Sequence, residues 1–137
     1  TRPSVADATS LRTKVTARAR QVQAIAAADM RTRYRTAAPY KSGDTQASVD
    51  IINFQASPAQ LRCTAVATTP QAKWTDEGTR PHTIRPRRAK ALRFRYRGRI
   101  VYATRVNHPG TKATRWFRNT GPREWHGALQ RAVSRLS

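Results

Sequence analysis

The chain has 137 residues, with 27 Lys and Arg against seven Asp and Glu, so its formal net charge is +20. That length fits one domain with a modest core, and an apolar share of 38% excludes a merely charged, unfolded tail. The charge is far above the magnitude of about 2–8 that suits a small soluble domain, which indicates an anionic partner: a nucleic acid, an acidic protein surface, or both.

Cysteine usage and hydropathy narrow the class of protein further. Cys63 is the one cysteine in the sequence, so the chain forms no internal disulfide and no thiolate metal cluster. Its alternating apolar neighbours indicate a buried, inert thiol. No run of 18 apolar residues occurs, so we expect no membrane span. No secretory signal block opens the chain, and we expect a location in the cytosol or in an assembled particle.

An N-terminal helix is predicted over residues 1–36. Ser4 and Asp7 have the spacing of a capping box, with Asp in place of the preferred Glu, and neither Gly nor Pro interrupts the run that follows. The helix should stop before Pro39, which disfavours helical geometry at its predecessor. Apolar side chains recur along one helical stripe, at Leu11, Val15, Val22 and Ile25.

A sheet is predicted over residues 48–106. Its first strand covers residues 48–56, where the alternation switches at Ile51-Ile52 and indicates a bulge or burial on both faces. Ser57-Pro58-Ala59 forms a turn. Residues 61–68 alternate again, which predicts a second strand antiparallel to the first.

The centre of the sequence is a hairpin. Apolar residues alternate with arginines before a glycine, and a β-rich run follows it, in the order Leu92-Arg93-Phe94-Arg95-Tyr96-Arg97-Gly98-Arg99-Ile100-Val101-Tyr102-Ala103. Because side chains of a strand point alternately to its two faces, this pattern puts aromatic rings on one face and guanidinium groups on the other. Gly98 supplies the bend, since it adopts positive φ without strain.

The remaining segments are shorter. Residues 38–45 are a loop by their Pro, Gly and Asp content, residues 70–76 have the length of a short helix, and Thr83-Ile84-Arg85 that of a short strand. Pro122, at a first-turn position, begins a last helix over residues 122–136.

The order of elements predicts the fold class. A helix, several strands and a final helix follow one another, with Arg115-Trp116-Phe117 opening an apolar cluster, and an additional short helix, just before the last one. No internal repeat or linker divides the chain. We therefore expect a single α+β domain over residues 1–137, with a long N-terminal helix and a C-terminal helix packed on a mainly antiparallel β-sheet.

The densest basic run lies on and just before the hairpin. One interpretation is a surface that tracks phosphates or lines a channel. The other is a solvated strand face, whose Arg stems cover apolar neighbours. No aromatic RNA-recognition signature, zinc finger or recognition helix is present, so base-specific recognition is not expected. The run comprises Arg85, Arg87, Arg88, Lys90, Arg93, Arg95, Arg97, Arg99 and Arg105.

Catalytic and metal-binding constellations are weak. His82, His108 and His126 are widely spaced, and each is expected to be a hydrogen-bonding loop residue, not a metal ligand. Asp76 and Glu77 offer an acid–base pair, but adjacent side chains diverge in most conformations, and no nucleophile motif accompanies them. The scattered carboxylates do not supply the acidic cluster of a metal-dependent nuclease. We expect neither an enzyme nor a cofactor.

Short motifs in a fixed order carry a family resemblance. The loops Glu77-Gly78-Thr79 and Pro109-Gly110-Thr111 are alike, which ordinary turn chemistry also explains. In chain order the motifs are Ser42-Gly43-Asp44-Thr45-Gln46-Ala47-Ser48-Val49, Trp74-Thr75-Asp76-Glu77-Gly78-Thr79, Ile84-Arg85-Pro86, Lys90-Ala91-Leu92, His108-Pro109-Gly110-Thr111-Lys112-Ala113 and Trp116-Phe117. This set resembles the tail-completion (head–tail joining, minor tail component) family of long-tailed bacteriophages over residues 39–117. It departs from the family pattern at Ser42 and Thr45, which replace Thr and Leu, and at Arg115-Trp116.

The resemblance implies a non-catalytic structural protein of the virion neck, made in the host cytoplasm. It implies a ring, expected to be a hexamer, between the head-completion (stopper) protein and the tail terminator and tail tube proteins, with packaged DNA on the axis. Loops between subunits or rings would be shaped by Trp74, Glu77, Gly78, Thr79, His108, Pro109, Gly110, Thr111 and Lys112. DNA or acidic partners would be faced by Arg85, Arg87, Arg88, Arg93, Arg95, Arg97 and Arg99.

The alternative hypothesis is a basic nucleic-acid-binding module of the ribosome- or nucleoid-associated type. The isolated chain would then bind free duplex or RNA tightly, with a steep dependence on salt. A connector would bind weakly and nonspecifically before assembly.

Overall fold

The computed structural model describes residues 4–39 and 43–137, which form four helices and six strands. The helices are α1 (Val5–Ala37), α2 (Asp44–Ser48), α3 (Pro70–Glu77) and α4 (Trp116–Arg135). The strands are β1 (Val49–Ala56), β2 (Leu61–Ala67), β3 (His82–Ile84), β4 (Leu92–Tyr96), β5 (Arg99–Ala103) and β6 (Val106–His108). The α+β class is confirmed. Residues 1–3 of the predicted helix and residues 40–42 of the predicted loop, Ser42 among them, lie outside the described residues.

The capping box at the start of α1 is confirmed. The Ser4 hydroxyl accepts a hydrogen bond from the Asp7 backbone N–H at 3.1 Å, and the Asp7 carboxylate accepts one from the Ser4 N–H at 3.3 Å. These bonds satisfy donors that a helix start otherwise leaves unpaired. The helix ends at Ala37, before Pro39, as its effect on the preceding residue predicts.

The predicted apolar stripe of α1 is buried only in its second half. The side chains that α1 buries are Gln23, Ala26, Ala27, Met30 and Tyr34. Leu11 is 63% exposed and Val15 42% exposed, so the prediction is wrong there. The reason is length: α1 has 33 residues and α4 has 20, about 50 Å against about 30 Å.

Helices α1 and α4 run antiparallel and pack through small side chains. Near the start of α4, the Phe117 ring lies 5.1 Å from the Tyr34 ring, and at its other end Arg18 donates a hydrogen bond to the Leu136 carbonyl. Both helices bury alanines in the core, each at most 2% exposed, and such small side chains let elements approach closely: Ala26, Ala27, Ala128 and Ala132. Ion pairs join the helices at their edge, where Arg33 binds Asp29 and Glu124, and Arg131 binds Asp29.

The predicted antiparallel pair β1–β2 packs against α1. Its register shifts between Ile52 and Gln55, so the bulge expected at Ile51-Ile52 is present slightly later. The buried Gln23 side chain of α1 donates to the carbonyls of Gln55 at 3.0 Å and Arg62 at 2.7 Å. It thereby satisfies backbone acceptors on both strands next to the irregularity.

Two short helices flank this ribbon. Helix α2 begins at Asp44, inside the segment predicted as a loop, after Gly43 in the left-handed conformation with φ of 87°. Helix α3 matches the short helix predicted over residues 70–76 and has a proline in its first turn, where the missing N–H has no helical partner.

The strands form three separate two-stranded antiparallel ribbons, where the sequence predicts one sheet. The ribbons are β1–β2, β3–β6 and β4–β5. Strands β3 and β6 have three residues each, and Pro81 and Pro109 stand directly beside them. Proline has no N–H to continue a ladder, so these strands stay short. Among the described elements, no helix packs extensively on β3–β6 or β4–β5.

The C-terminal helix begins earlier than predicted. One continuous helix, α4, runs from Trp116 to Arg135 with Pro122 inside it, where the sequence predicts a short helix near residue 115 and a second over 122–136. Pro122 cannot donate to the carbonyl of Arg118, which ordinarily disfavours an internal proline. The first turns are nevertheless held by a carboxylate from α3, Asp76, that no local pattern reveals.

Candidate functional site

The two Gly-Thr loops, 32 residues apart in the chain, lie against each other. The Thr79 N–H donates to the Thr111 carbonyl at 2.9 Å, and the Thr111 N–H donates to the Thr79 carbonyl at 3.1 Å. The Thr79 hydroxyl also accepts from the Thr111 N–H at 2.9 Å. We call Gly78, Thr79, Gly110 and Thr111 the Gly-Thr clasp. Similar sequences on the two loops therefore meet as a pair.

Both clasp positions require glycine for two reasons. Gly78 has φ of +80° and Gly110 has φ of +86°, a conformation that strains other residues. A Cβ on Gly78 would lie 2.7 Å from the Thr111 carbonyl oxygen, and one on Gly110 would collide with the Thr79 carbonyl oxygen. The backbone of each loop therefore occupies the space that a side chain on the other loop's glycine would need.

A second set of hydrogen bonds fastens the clasp to the helices. The Thr114 N–H and hydroxyl both donate to the Thr75 carbonyl, at 3.0 and 2.7 Å, and the Arg115 N–H donates to the Asp76 carbonyl at 3.0 Å. The Trp116 indole N–H donates to the Thr75 hydroxyl at 3.0 Å. The end of α3 and the start of α4 are therefore joined directly beside the clasp.

Asp76 has a structural task that the sequence did not suggest. Asp76 is 7% exposed, and its carboxylate accepts hydrogen bonds from the backbone N–H groups of Phe117 at 2.9 Å and Arg118 at 3.1 Å. A carboxylate at a helix N-terminus is stabilised by the unpaired N–H groups and by the helix dipole. Glu77 is exposed. One indirect signal of this cap was in the sequence. Arg115, which directly precedes α4, is not a favoured N-cap residue, so the start of the helix needs an acceptor from elsewhere in the chain.

His108, the last residue of β6, positions the clasp. Its Nδ1 accepts a hydrogen bond from the Gly110 N–H at 3.0 Å. Its ring stacks on His82 with a centroid separation of 4.9 Å. The other predicted loop residues present side chains to solvent: Trp74 is 50% exposed, and Pro109 and Lys112 are exposed.

Residues 78–111 form one long nested hairpin, which we call the arm. Its paired positions run from Thr79↔Thr111 at the clasp through His82↔His108 and Ile84↔Val106 in the stem to Leu92↔Ala103 and Tyr96↔Arg99 at the tip. Residues 85–91 are extra chain on one side. The clasp therefore closes the base of the arm, and the predicted hairpin is its tip.

The two faces of the tip differ, although not fully as predicted. Leu92 and Phe94 pair with Ala103 and Val101, and all four are half-buried. Arg93 and Arg95 pair with Tyr102 and Ile100 on the opposite, exposed face. Opposed residues of an antiparallel pair share a face.

Two of the predicted arginines therefore leave the arginine face. Arg99 pairs with Tyr96 and lies on the aromatic face, so its placement with the other arginines is wrong. Arg97 occupies the turn beside Gly98 with φ of 49°, its guanidinium 5.3 Å from the centroid of the Tyr96 ring. The two-residue turn places both arginines near the end of the arm.

The charge of the arm is uncompensated. Residues 78–123 contain neither Asp nor Glu, and the arm alone contains ten Lys and Arg. All seven predicted arginines are exposed, and within the described part of the chain none of them forms an ion pair with a carboxylate. The arginines are Arg85, Arg87, Arg88, Arg93, Arg95, Arg97 and Arg99.

The described residues offer little support for a metal site, a reactive thiol or a membrane-spanning helix. Within residues 4–39 and 43–137, no three His, Cys, Asp or Glu side chains are grouped to hold a metal ion. Cys63 is half-buried, and burial raises the pKa of its thiol, which reduces its reactivity. The same residues include no helix long and apolar enough to cross a membrane.

No known protein family, curated protein or solved structure matched this chain. The resemblance to the tail-completion family therefore stays a prediction from the motifs.

Proposed function

We propose that this protein is a non-catalytic structural component of the neck of a long-tailed bacteriophage. The observation that carries the proposal is the Gly-Thr clasp. Two of the motifs behind the resemblance, Glu77-Gly78-Thr79 and His108-Pro109-Gly110-Thr111, form a single structural unit through backbone pairing. A family pattern that places glycines in both loops is explained by the close approach of the two backbones.

The proposed partners follow from the same resemblance. The protein, made in the host cytoplasm, occupies the virion neck between the head-completion (stopper) protein and the tail terminator and tail tube proteins. The exposed side chains around the clasp, such as Trp74, Glu77 and Lys112, form contacts between subunits or rings. The arginines of the arm face packaged DNA or acidic neighbours.

Assembly into a ring, expected to be a hexamer, is supported by surface that the single chain leaves uncovered. Val5, Leu11 and Val15 expose apolar side chains on the first half of α1. The cationic side chains behind the net charge of +20 repel one another in a free monomer. In a ring that surrounds or adjoins polyanions, the polyanions neutralise that charge. Each copy would offer the same two surfaces to its neighbours.

The test is genetic complementation in the phage that encodes the chain. Without the protein, we expect filled heads and finished tails that do not join, counted by electron microscopy. The wild-type chain should restore joining. Gly110→Ala, which breaks the clasp, should restore it poorly, and Gly98→Ala should restore it well, because a Cβ there meets no atom within 4 Å. Normal joining without the protein contradicts the proposal.

A second candidate function is favoured by the acid-free arm: a basic nucleic-acid-binding module of the ribosome- or nucleoid-associated type. Two-stranded β-ribbons are a known means of reaching into nucleic-acid grooves. In that case heads and tails join without the protein, while the free chain binds nucleic acid tightly at physiological salt.

A further inference from the structure

We infer that the tip of the arm binds B-form duplex DNA by entering its major groove without base specificity. The inference deepens the proposed function, on which it rests for its biological setting. It assigns the duplex, in preference to an acidic protein, as the partner of the face that carries Arg93, Arg95, Ile100 and Tyr102. We call these four residues the tip face.

The sign of the charge favours nucleic acid. The arm holds ten cationic side chains and no carboxylate, and the carboxylates that pair with arginine are on α1, β1 and α4. Protein–protein interfaces are depleted of most charged residues at their centres, and although arginine is enriched there, a dense run of unpaired like charges is not typical of them. Protein–DNA interfaces are much more positively charged. A surface of one sign over this whole length matches a phosphate backbone.

The dimensions of the tip fit the major groove. Strands β4 and β5 form a ribbon of two strands with five paired positions, so it is about 17 Å long, with its strands about 5 Å apart. The major groove of B-DNA is about 12 Å wide and about 8.5 Å deep and admits a two-stranded ribbon. The major groove of duplex RNA is too narrow for side chains to read.

The tip face combines the two kinds of contact that a groove offers. Arg93 and Arg95, two positions apart on one strand, are about 7 Å apart along it and point to the same side. Tyr102 is 67% exposed and Ile100 48% exposed, beside those arginines, and none of the described helices packs extensively on this ribbon. The guanidinium groups bind phosphates, and the apolar side chains contact the base edges, where thymine presents a methyl group.

The upstream arginines add contacts outside the groove. Arg85, Arg87 and Arg88 belong to the extra chain between β3 and β4, and all three are exposed. They precede β4 in the chain and therefore lie on the β4 side of the arm. With the tip in the groove, they lie toward the flanking phosphates and increase the salt dependence of binding by about 0.9 per contact.

The experiment measures binding of the full chain to a fluorescent duplex of about 25 base pairs over a series of salt concentrations. Arg93→Gln with Arg95→Gln should reduce the slope of log K against log salt by about two. The matched control is Arg12→Gln with Arg20→Gln, which removes the same charge from exposed arginines of α1 and should leave the slope nearly unchanged. Thermal unfolding checks that both variants fold.

The groove is tested separately. Bulky substituents on the major-groove edge of the bases should weaken binding, and a minor-groove ligand should not. Tyr102→Ala should weaken binding to duplex DNA while leaving the salt slope unchanged. Equal slopes for the two arginine variants overturn the inference, as does tighter binding to duplex RNA or to poly-glutamate. A phage in which heads and tails need this protein, but whose arm variant joins them normally, overturns the DNA contact and leaves the connector function intact.

Discussion

Asp76 links two elements that are far apart in the chain. Its carboxylate accepts from the Phe117 N–H, 41 residues downstream, and its own carbonyl accepts from the Arg115 N–H. One residue therefore provides both the cap of α4 and part of the junction beside the clasp. A change of its side chain acts directly on the cap and leaves the backbone bond of the junction in place.

Replacing Asp76 by Ala should lower the free energy of unfolding by about 1–3 kcal/mol, since two N–H groups at a buried helix start lose their acceptor. Asp76→Asn should lose less, because its amide oxygen still accepts a hydrogen bond. Urea unfolding followed by circular dichroism measures both. The control is Glu77→Ala at the exposed neighbouring position; an equal loss there would refute the capping role.

Two glycines with similar positive φ allow the close approach to be separated from the backbone strain. Gly98 and Gly110 have φ of +78° and +86°, but only at Gly110 does a Cβ meet the facing backbone. Gly98→Ala should therefore cost only about 1–2 kcal/mol of left-handed strain. Gly110→Ala should cost more and should open the Thr79–Thr111 pair, seen as faster amide exchange at both threonines.

The sequence predicted the glycines of the clasp as turn residues, but neither their pairing nor the role of Asp76. The glycines of both loops were recognised as turn formers, because positive φ has a local chemical signature. Their pairing was not, because a contact between segments 32 residues apart depends on where α3 and α4 bring them. The capping role of Asp76 was not predicted for the same reason, since its partners are remote backbone groups. With Glu77 it offered only a weak acid–base pair.

At the scale of elements, α1 has two halves with different surroundings. Met30 is 3% exposed against α4 and the β1–β2 ribbon, while Leu11 is 63% exposed. The periodic pattern predicted one continuous stripe because periodicity reports a face and not the length of the partner that covers it. A local pattern also could not predict where α4 begins, because its early start depends on the Asp76 carboxylate of α3.

Met30→Ala should lower the free energy of unfolding of the isolated chain by about 2–5 kcal/mol, since it removes buried methylene groups and leaves a cavity. Leu11→Ala should change it by less than about 0.5 kcal/mol. Chemical denaturation at low protein concentration gives both values. A large loss from Leu11→Ala in the monomer would show that the first half of α1 is covered within one chain.

At the scale of the whole molecule, the charges are segregated. The ion pairs connect α1 with α4 and with β1. The arm extends from this layer, and all of its Lys, Arg, Asp and Glu side chains are cationic. The overall class, the hairpin and both long helices were predictable, because they depend on local periodicity and on turn residues. The division into three ribbons was not, since it depends on which strands find a third partner.

Salt should stabilise the free protein, which is the opposite of what dominant surface ion pairs would produce. Raising NaCl from about 20 to about 200 mM screens the repulsion among exposed arginines and should raise the melting temperature by roughly 3–5 °C. Calorimetry measures the shift. In the Arg93→Gln, Arg95→Gln variant the rise should be smaller, and a fall in melting temperature for the wild type would count against the repulsion.

Every strand in the described part of the chain is an edge strand, because none of the three ribbons has a third member there. Edges with unpaired N–H and C=O groups invite pairing between molecules, and cationic side chains are a common protection against it. On the arm, that protection is the repulsion between like-charged copies. A polyanion that neutralises the arginines also removes the barrier between neighbouring arms, so the same ligand that holds each copy would permit their backbones to join.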